Sequence, residues 1–314
     1  MAPTILVAGA TGNTGRAVVE TLSGLLDKSS VLSGHRIIAL TRSSSGAVAQ
    51  KLAKLPGVEV VEQNWIEITP EWLRRYEVVR AFIAAAVTVS QFIDESTFFV
   101  AALEAGVKYV VRISTFAPNV RPDAVPFYAR AHWAIEALLS TPEFERLQWT
   151  SLQPNSFSPL YLTSAAEFIK QYRRTGKQST LKLVAAPDAP VGIIDPDEIG
   201  VLAARLLAQQ DPTPHNKAKY VVNGPEDLSG NQIVKMVEDY IGAKVENVVF
   251  KDLSFVDVYA AHSTAPKHNI MTIKASAKYQ WEGLGSASTT SKQVLELAAP
   301  KTTPAEALKR LLGE

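Results

Sequence analysis

Three glycines directly behind the first apolar segment constrain the fold of this chain more than any other feature. The segment Thr4–Ala8 is a short apolar run, and Gly9, Gly12 and Gly15 follow it at three-residue intervals. Residues 14–26 then place apolar side chains at helical spacing. A strand, a glycine-rich turn and an amphipathic helix in this order predict the first unit of a doubly wound α/β fold.

The spacing of these glycines also predicts what the turn binds. One glycine permits the tight turn, a second lets the backbone approach a pyrophosphate, and the third lets the helix pack closely on the strand. The helix that begins near Thr14 directs the positive end of its dipole at the phosphates. We therefore expect a dinucleotide to bind through Gly9, Thr11, Gly12, Asn13, Thr14 and Gly15.

The remainder of the first half alternates strand and helix patterns. Further strands are predicted at residues 35–40, 58–61, 80–86, 109–113 and 149–153, and helices at residues 92–105 and 128–139. Such alternation is typical of parallel strands joined by right-handed crossovers.

The second half is less regular. Helices are predicted at residues 165–174, 199–209, 229–241 and 304–312, and a strand at residues 220–223. We expect an α/β protein with a doubly wound Rossmann parallel sheet and a smaller C-terminal α/β substrate lobe. Residues 1–155 would form the nucleotide-binding domain and residues 156–314 the lobe, with residues 191–223 returning to the first domain.

Composition excludes several classes of function. The 314 residues carry 32 basic and 31 acidic side chains, so no overall field attracts nucleic acid or an anionic membrane. The absence of cysteine excludes disulfides, thiolate metal ligands and cysteine nucleophiles, and the histidines show no metal-ligand spacing. No apolar run approaches the roughly 20 residues that span a bilayer. We expect a cytoplasmic protein without a metal, a nucleic-acid partner or a membrane partner.

The end of the second predicted strand indicates which dinucleotide binds. A site that prefers NAD places Asp or Glu there to accept hydrogen bonds from the ribose hydroxyls. This chain has Thr41, Arg42 and three serines instead. Arg42 is suited to pair with a 2′-phosphate and Ser43 adds a hydroxyl donor, which favours NADP(H). The alternative is that Arg42 is a solvated loop charge.

Residues at two other strand ends are candidates for the same crevice. Ser114 and Thr115 end the fifth strand, at the edge where doubly wound sheets bind their ligands. Ala84 and Ala85 end the fourth strand, where small side chains let the backbone pass close to a cofactor.

Five segments of the chain carry motifs: residues 7–15 (VAGATGNTG), 106–114 (GVKYVVRIS), 149–157 (WTSLQPNSF), 194–200 (IDPDEIG) and 223–229 (NGPEDLS). Together they resemble the NmrA-like family of atypical short-chain dehydrogenases. The resemblance spans nearly the whole chain. It implies either an NADPH-dependent reductase of the quinone or isoflavone reductase type, or a catalytically silent redox sensor such as the fungal nitrogen regulator.

The resemblance implies further cofactor contacts. Pro154, Asn155 and Phe157 belong to a stretch that is similar to the family's TxLRPxxF segment beside the nicotinamide. Related sequences often carry Gly-Asp after the third strand, where this chain has Gln63 and Asn64. Asn64 still donates and accepts hydrogen bonds toward an adenine, without the carboxylate.

The candidate catalytic residues depart from the usual pattern. Ordinary short-chain dehydrogenases use Tyr-x-x-x-Lys, in which the cation lowers the pKa of the phenol. Here Tyr128 is followed four residues later by His132, and Glu136 stands another four residues further on. His132 and Tyr128 are the candidates that orient or protonate a reduced carbonyl, and His132 is also a candidate ribose contact. The alternative for both is a structural role.

We expect an NADPH-dependent oxidoreductase that reduces a small apolar carbonyl, quinone or enone. One alternative is a non-catalytic NADP(H) sensor that regulates a protein partner, and another is a redox-neutral isomerase or cyclase on the same fold. The sequence also leaves open whether the protein forms a homodimer. Aromatic residues of the lobe could line an apolar pocket, although more of them are expected in the core: Tyr161, Phe168, Tyr259 and Trp281.

Overall fold

The first strand sets the layers of the molecule. In the computed structural model, which describes residues 2–26 and 28–314, every side chain of Thr4–Ala8 is buried. Successive side chains of a strand point to opposite faces, so Ile5 and Val7 face one helix layer while Leu6 and Ala8 face the other. A strand buried on both faces belongs in the middle of a helix-sheet-helix sandwich.

The strands are β1 (Thr4–Ala8), β2 (Arg36–Thr41), β3 (Val58–Glu62), β4 (Val78–Ile83), β5 (Tyr109–Ile113), β6 (Gln148–Pro154), β7 (Leu181–Lys182), β8 (Ala218–Val222) and β9 (Val248–Val249). The helices are α1 (Gly15–Leu26), α2 (Ala47–Leu52), α3 (Pro70–Arg75), α4 (Gln91–Ala105), α5 (Phe127–Leu139), α6 (Ser158–Thr175), α7 (Pro196–Leu207), α8 (Gly230–Ile241), α9 (Ser254–His262), α10 (Lys267–Met271), α11 (Lys278–Trp281), α12 (Lys292–Ala298) and α13 (Pro304–Leu312).

Seven strands of the described chain pair in parallel in the order β3-β2-β1-β4-β5-β6-β8. Helices α1, α7 and α12 cover one face of this sheet, and α3, α4 and α5 cover the other. The strand order reverses between β1 and β4, and at such a point the crossovers leave a crevice along the carboxyl edge. This arrangement confirms the predicted doubly wound class.

A smaller lobe packs its own core behind β6. Helix α6 carries the chain away from the sheet and packs against α8 and α13, with the short parallel pair β7 and β9 beside them. The lobe is therefore also built from helices on parallel strands. The domain limits drawn from the sequence stay a prediction.

Residues 254–286, the cover segment, connect this lobe with the carboxyl edge of the large sheet. Asn119, after β5, donates its side-chain amide to the carbonyl of Ser276 at 3.0 Å. Thr272 Oγ1 accepts from the backbone N–H of Phe127 at 3.2 Å. The crevice above β4, β5 and β6 is thus bordered by side chains from both halves of the chain.

Helices α1 and α7 approach each other closely because a glycine stands at their contact. A Cβ added to Gly200 would lie 2.5 Å from the carbonyl oxygen of Thr14 and 2.6 Å from Cβ of Ala17. Both distances are far below van der Waals contact, so a side chain there would push α7 away from the start of α1. Gly200 therefore fixes α7 against the turn that begins α1.

This contact predicts opposite effects for two glycine-to-alanine changes. Gly200→Ala should lower the free energy of unfolding by about 1–3 kcal/mol, because an overpacked contact forces backbone shifts. Gly24→Ala should raise it by about 0.5–1 kcal/mol, because Gly24 is an exposed helical residue with open space at its Cβ position. Chemical denaturation of both variants measures the difference, and equal midpoints would contradict the assignment.

Candidate cofactor and active site

The turn between β1 and α1, residues 9–15, forms a cradle that only small residues permit. Gly9 has φ of +79°, and a Cβ on Gly15 would lie 2.1 Å from the carbonyl oxygen of Gly9. Thr14 and Gly15 are buried at the start of α1, whereas Thr11 is partly exposed and Gly12 and Asn13 are exposed. An exposed turn at a helix N-terminus without an acidic residue suits an anionic group such as a pyrophosphate.

A cleft of about 350 Å³ opens beside this cradle. Its walls include Thr11, Gly12 and Asn13, the first residues of α6 and α7, and part of α13. Two ion pairs hold the walls together: Arg16 with Asp197 at 2.5 Å and Arg310 with Asp195 at 2.8 Å. The glycine cradle therefore lies beside positive and negative side chains that are held in place by ion pairs.

The predicted ribose and adenine contacts follow β2 and β3. Arg42 and Ser43 are exposed, and Ser43 Oγ lies 3.0 Å from Ser45 Oγ. Asn64 is exposed and its Oδ1 accepts from the backbone N–H of Ile66 at 3.4 Å. These residues stand at one corner of the carboxyl edge, and their contacts with a nucleotide stay a prediction.

Ala84 and Ala85 leave β4 next to the cradle. Both are partly exposed, and the carbonyl oxygen of Ala84 would lie 3.0 Å from a Cβ on Gly9. The ends of β1 and β4 therefore meet backbone to backbone at the crevice.

Ser114 and Thr115 leave β5 at the middle of the same edge. The Ser114 side chain is 4% exposed, and its Oγ has no hydrogen-bond partner among the residues that the structure describes. A buried hydroxyl without a partner is rare, because burial without a hydrogen bond costs free energy. Ser114 therefore has a buried donor and acceptor at this edge that no described residue uses.

Tyr128 stands in the first turn of α5, beside Thr115. The phenol is partly buried, and burial raises its pKa, while the neighbouring side chains of Ser276 and Thr115 offset part of that rise. The hydroxyl is therefore protonated at neutral pH. It lies where β5, α5 and the cover segment meet.

His132 lies one turn further along α5, inside a cluster of buried charges. Its Nδ1 is 2.7 Å from Nη2 of Arg112, and the amide nitrogen of Gln91 lies 3.1 Å from its Nε2. Burial and the neighbouring guanidinium lower the pKa of His132 well below its usual range. The imidazole is therefore neutral, with Nδ1 as the acceptor from Arg112.

Carboxylates balance the arginine in this charge cluster, which consists of Glu95, Arg112, His132 and Glu136. Nη2 of Arg112 donates to Glu95 at 3.0 Å, and Nη1 lies 3.6 Å from Glu136. Glu136 also accepts from Ser151 Oγ at 2.7 Å. Sequence reasoning missed Glu95, Arg112 and Gln91 as neighbours of His132, and the available signal was an arginine in the middle of an apolar strand.

The residues after β6 make a structural junction. Pro154 ends the strand, and Asn155 is 3% exposed. The Asn155 amide donates to Asn223 Oδ1 and to the carbonyl of Gly285, both at 2.8 Å, and Gln280 donates to its Oδ1 at 2.7 Å. Phe157 is partly buried at the start of α6. Any nicotinamide contact of Pro154, Asn155 and Phe157 stays a prediction.

The four aromatic residues named from the sequence occupy different environments. Tyr161 and Phe168 are buried in the core of the lobe. Trp281 is partly buried and donates its indole N–H to the carbonyl of Val184 at 2.8 Å. Tyr259 is 43% exposed on α9, and its hydroxyl lies 3.5 Å from the carbonyl of Val87. Tyr259 therefore lies beside the turn that follows β4.

Residues 2–26 and 28–314 contain neither a candidate metal-binding cluster nor a candidate membrane-spanning helix. No group of three or more histidine, aspartate or glutamate side chains is arranged to hold a metal ion. No helix in this part of the chain is long and apolar enough to cross a membrane.

Comparison with known proteins identifies the family. Residues 1–302 match the NmrA-like family over almost the entire chain. The chain belongs to the NmrA-like family. This finding confirms the resemblance that the sequence motifs indicated. No curated protein sequence matches this NmrA-like chain at a significant level.

Solved structures similar to this NmrA-like protein include both enzymes and a regulator. The NADPH-dependent quinone oxidoreductase QOR2 of Escherichia coli, crystallised with NADPH, has a TM-score of 0.73 at 22% identity, covering 98% of this chain and 99% of that one. The triphenylmethane reductase of Citrobacter sp., complexed with NADP(H), has a TM-score of 0.69 at 21% identity, covering 98% and 100%. NmrA, a negative transcriptional regulator, has a TM-score of 0.68 at 15% identity, covering 98% and 95%.

The neutral state of His132 predicts how the stability of this NmrA-like protein depends on pH. The unfolded chain protonates its histidines below pH about 6.5, whereas folded His132 does not, so the unfolded state holds more protons and stability falls on acidification. His132→Gln should reduce the loss between pH 7 and pH 5 by about 2 kcal/mol.

Urea denaturation at both pH values measures this effect. His262→Gln, at an exposed histidine of α9, is the matched control for the loss of one imidazole. An unchanged pH dependence in His132→Gln would show that the imidazole takes up a proton in the folded state.

Proposed function

We propose that this protein is an NADPH-dependent oxidoreductase that reduces a small apolar carbonyl, quinone or enone. The observation that carries the proposal is the placement of the Tyr128 hydroxyl, with Thr115 and Ser276, on the same carboxyl edge as the glycine cradle. A proton donor and a dinucleotide cradle on one edge suit a hydride transfer coupled to protonation.

The residues of the cradle fit the proposed cofactor. The exposed turn at Gly12 and Asn13 would hold the pyrophosphate, and Arg42 would pair with the 2′-phosphate. The similar structures crystallised with NADPH or NADP(H) support this choice of dinucleotide. When bound, the reduced nicotinamide supplies the hydride.

Tyr128 would supply the proton. Its Oη would donate to the oxygen of the substrate as negative charge develops there, and Thr115 and Ser276 would hold the hydroxyl in place. His132 would act as a neutral positioning residue for α5, because a buried imidazole beside Arg112 is a poor source of protons. This assignment chooses Tyr128 between the two candidates of the sequence.

The rim of the crevice supports an apolar substrate. Exposed apolar side chains line the turn from β4 into α4 and the outer side of α9: Val87, Val89, Phe92, Ile93, Phe255, Val258 and Tyr259. The contact between Tyr259 and Val87 joins the two groups. Grouped apolar surface beside a polar site is typical of a pocket for an apolar ligand.

Tyr128→Phe should lower kcat for NADPH-dependent reduction about 10²- to 10⁴-fold, because the phenyl ring keeps its packing but has no proton to donate. The Kd for NADPH, from fluorescence titration, should change less than about twofold. Tyr76→Phe is the matched control, since Tyr76 lies near the start of β1 at the opposite edge of the sheet and its carbonyl accepts from Thr4. Full activity of Tyr128→Phe would remove Tyr128 from the reaction.

A second candidate is a non-catalytic NADP(H) sensor that regulates a protein partner. The observation in its favour is that a neutral His132 occupies the lysine position, so that position supplies no cation to lower the pKa of Tyr128. A sensor should bind NADP⁺ and NADPH with Kd values that differ at least about tenfold and should consume no NADPH with quinones, aldehydes or enones. Turnover with any of these substrates, abolished in Tyr128→Phe, would exclude the sensor. Tight binding without turnover would exclude the reductase.

A further inference from the structure

A carboxylate from a neighbouring strand lies against the loop that would hold the 2′-phosphate. The loop consists of residues 42–45 and is called the ribose loop below. Thr41 and Glu62, the last residues of β2 and β3, stand opposite each other in the sheet. The backbone N–H and the hydroxyl of Ser44 both donate to Oε2 of Glu62, at 2.9 Å and 2.7 Å.

Other contacts hold the ribose loop in this arrangement. Gln50 of α2 donates its side-chain amide to the carbonyl of Ser44 at 2.7 Å, so Ser44 is bonded on both sides. Thr41 Oγ1 donates to the carbonyl of Ser43 at 3.0 Å. Two donors of the loop are thus already used by Glu62.

Two charges of opposite sign lie at the ribose loop, and they act on a bound phosphate in opposite directions. Arg42 is exposed and makes no ion pair with any residue that the structure describes. The hydrogen bonds from Ser44 lower the pKa of Glu62, so this carboxylate is ionised at neutral pH. A 2′-phosphate at the loop would be attracted by Arg42, repelled by Glu62 and in competition with Glu62 for the donors of Ser44. A 2′-hydroxyl carries no charge and escapes the repulsion.

We infer that Glu62 limits the preference of this protein for NADPH, so that NADPH and NADH bind with affinities within about tenfold of each other. Glu62 is the specificity-determining residue. It lies at the end of β3, whereas a site that prefers NAD has its acidic residue at the end of β2. The inference rests on the proposed dinucleotide site, and it concerns the ribose loop alone.

The test is a fluorescence titration of NADPH and NADH, without substrate, against the wild type, Glu62→Gln and Glu59→Gln. Glutamine keeps an acceptor for Ser44 but carries no charge. Glu62→Gln should lower the Kd for NADPH about five- to tenfold and leave the Kd for NADH within about twofold. Glu59 stands on the same strand and pairs with Arg36 at 2.9 Å, so Glu59→Gln should leave the ratio of the two Kd values unchanged.

Salt provides a second readout. The repulsion acts between exposed charges, so salt screens it. The gain in NADPH affinity in Glu62→Gln should therefore shrink as the salt concentration is raised from about 0.05 M to about 0.5 M. A wild type that prefers NADPH more than a hundredfold, or an unchanged Kd for NADPH in Glu62→Gln, would overturn the inference. A loss of NADH affinity in Glu62→Gln would overturn it as well, since Glu62 would then bind the ribose. Failure of the wild type to bind either dinucleotide would instead overturn the proposed function.

Discussion

The candidate site depends on one close approach of backbone to backbone, between the carbonyl of Gly9 and the α-carbon of Gly15. The missing side chain at Gly15 brings the first turn of α1 directly over the end of β1. Gly200 lacks a side chain for the same reason, and its absence lets α7 pack closely against the first turn of α1. The close contacts at Gly15 and Gly200 therefore fix the position of the exposed turn. They also fix the start of α7, which forms part of the cleft wall.

The buried charges beneath β5 are a second constraint. Arg112 lies between the buried carboxylates of Glu95 and Glu136, and the exposed Lys219 reaches Glu136, with its Nζ 3.3 Å from Oε2. The pairing matters because leaving one buried charge without its partner costs about 3–5 kcal/mol. A proton on His132 would place a second buried cation 2.7 Å from the guanidinium of Arg112. His132 is therefore a neutral part of the scaffold under Tyr128.

The sequence predicted the fold well where one periodic pattern decides an element. The limits of α13 and β5 agree with prediction, and α4 begins one residue early, at Gln91. Helices α2, α3 and α9 to α12 were not predicted, because each has nine residues or fewer and is too short to show a clear helical period. Within the site, the local motif at residues 9–15 was readable, whereas the approach of Glu62 to Ser44 joins residues 18 positions apart and depends on strand order. The same holds for Arg112 and His132, which meet only across the packed face of the sheet.

The chain passes between the large sheet and the lobe at residues 155–158, 191–194, 223–228, 285 and 299–303, and the first four of these passages are bonded to one another. Phe157 pairs with Ile194, and Val191 pairs with both Leu228 and Gly285. Connections gathered into one such bundle leave no single strand of chain about which the lobe could swing. Entry to the crevice would then be governed by rotation of the side chains on its rim, such as Tyr259, and the gate would respond to the shape of the ligand without a hinged domain movement.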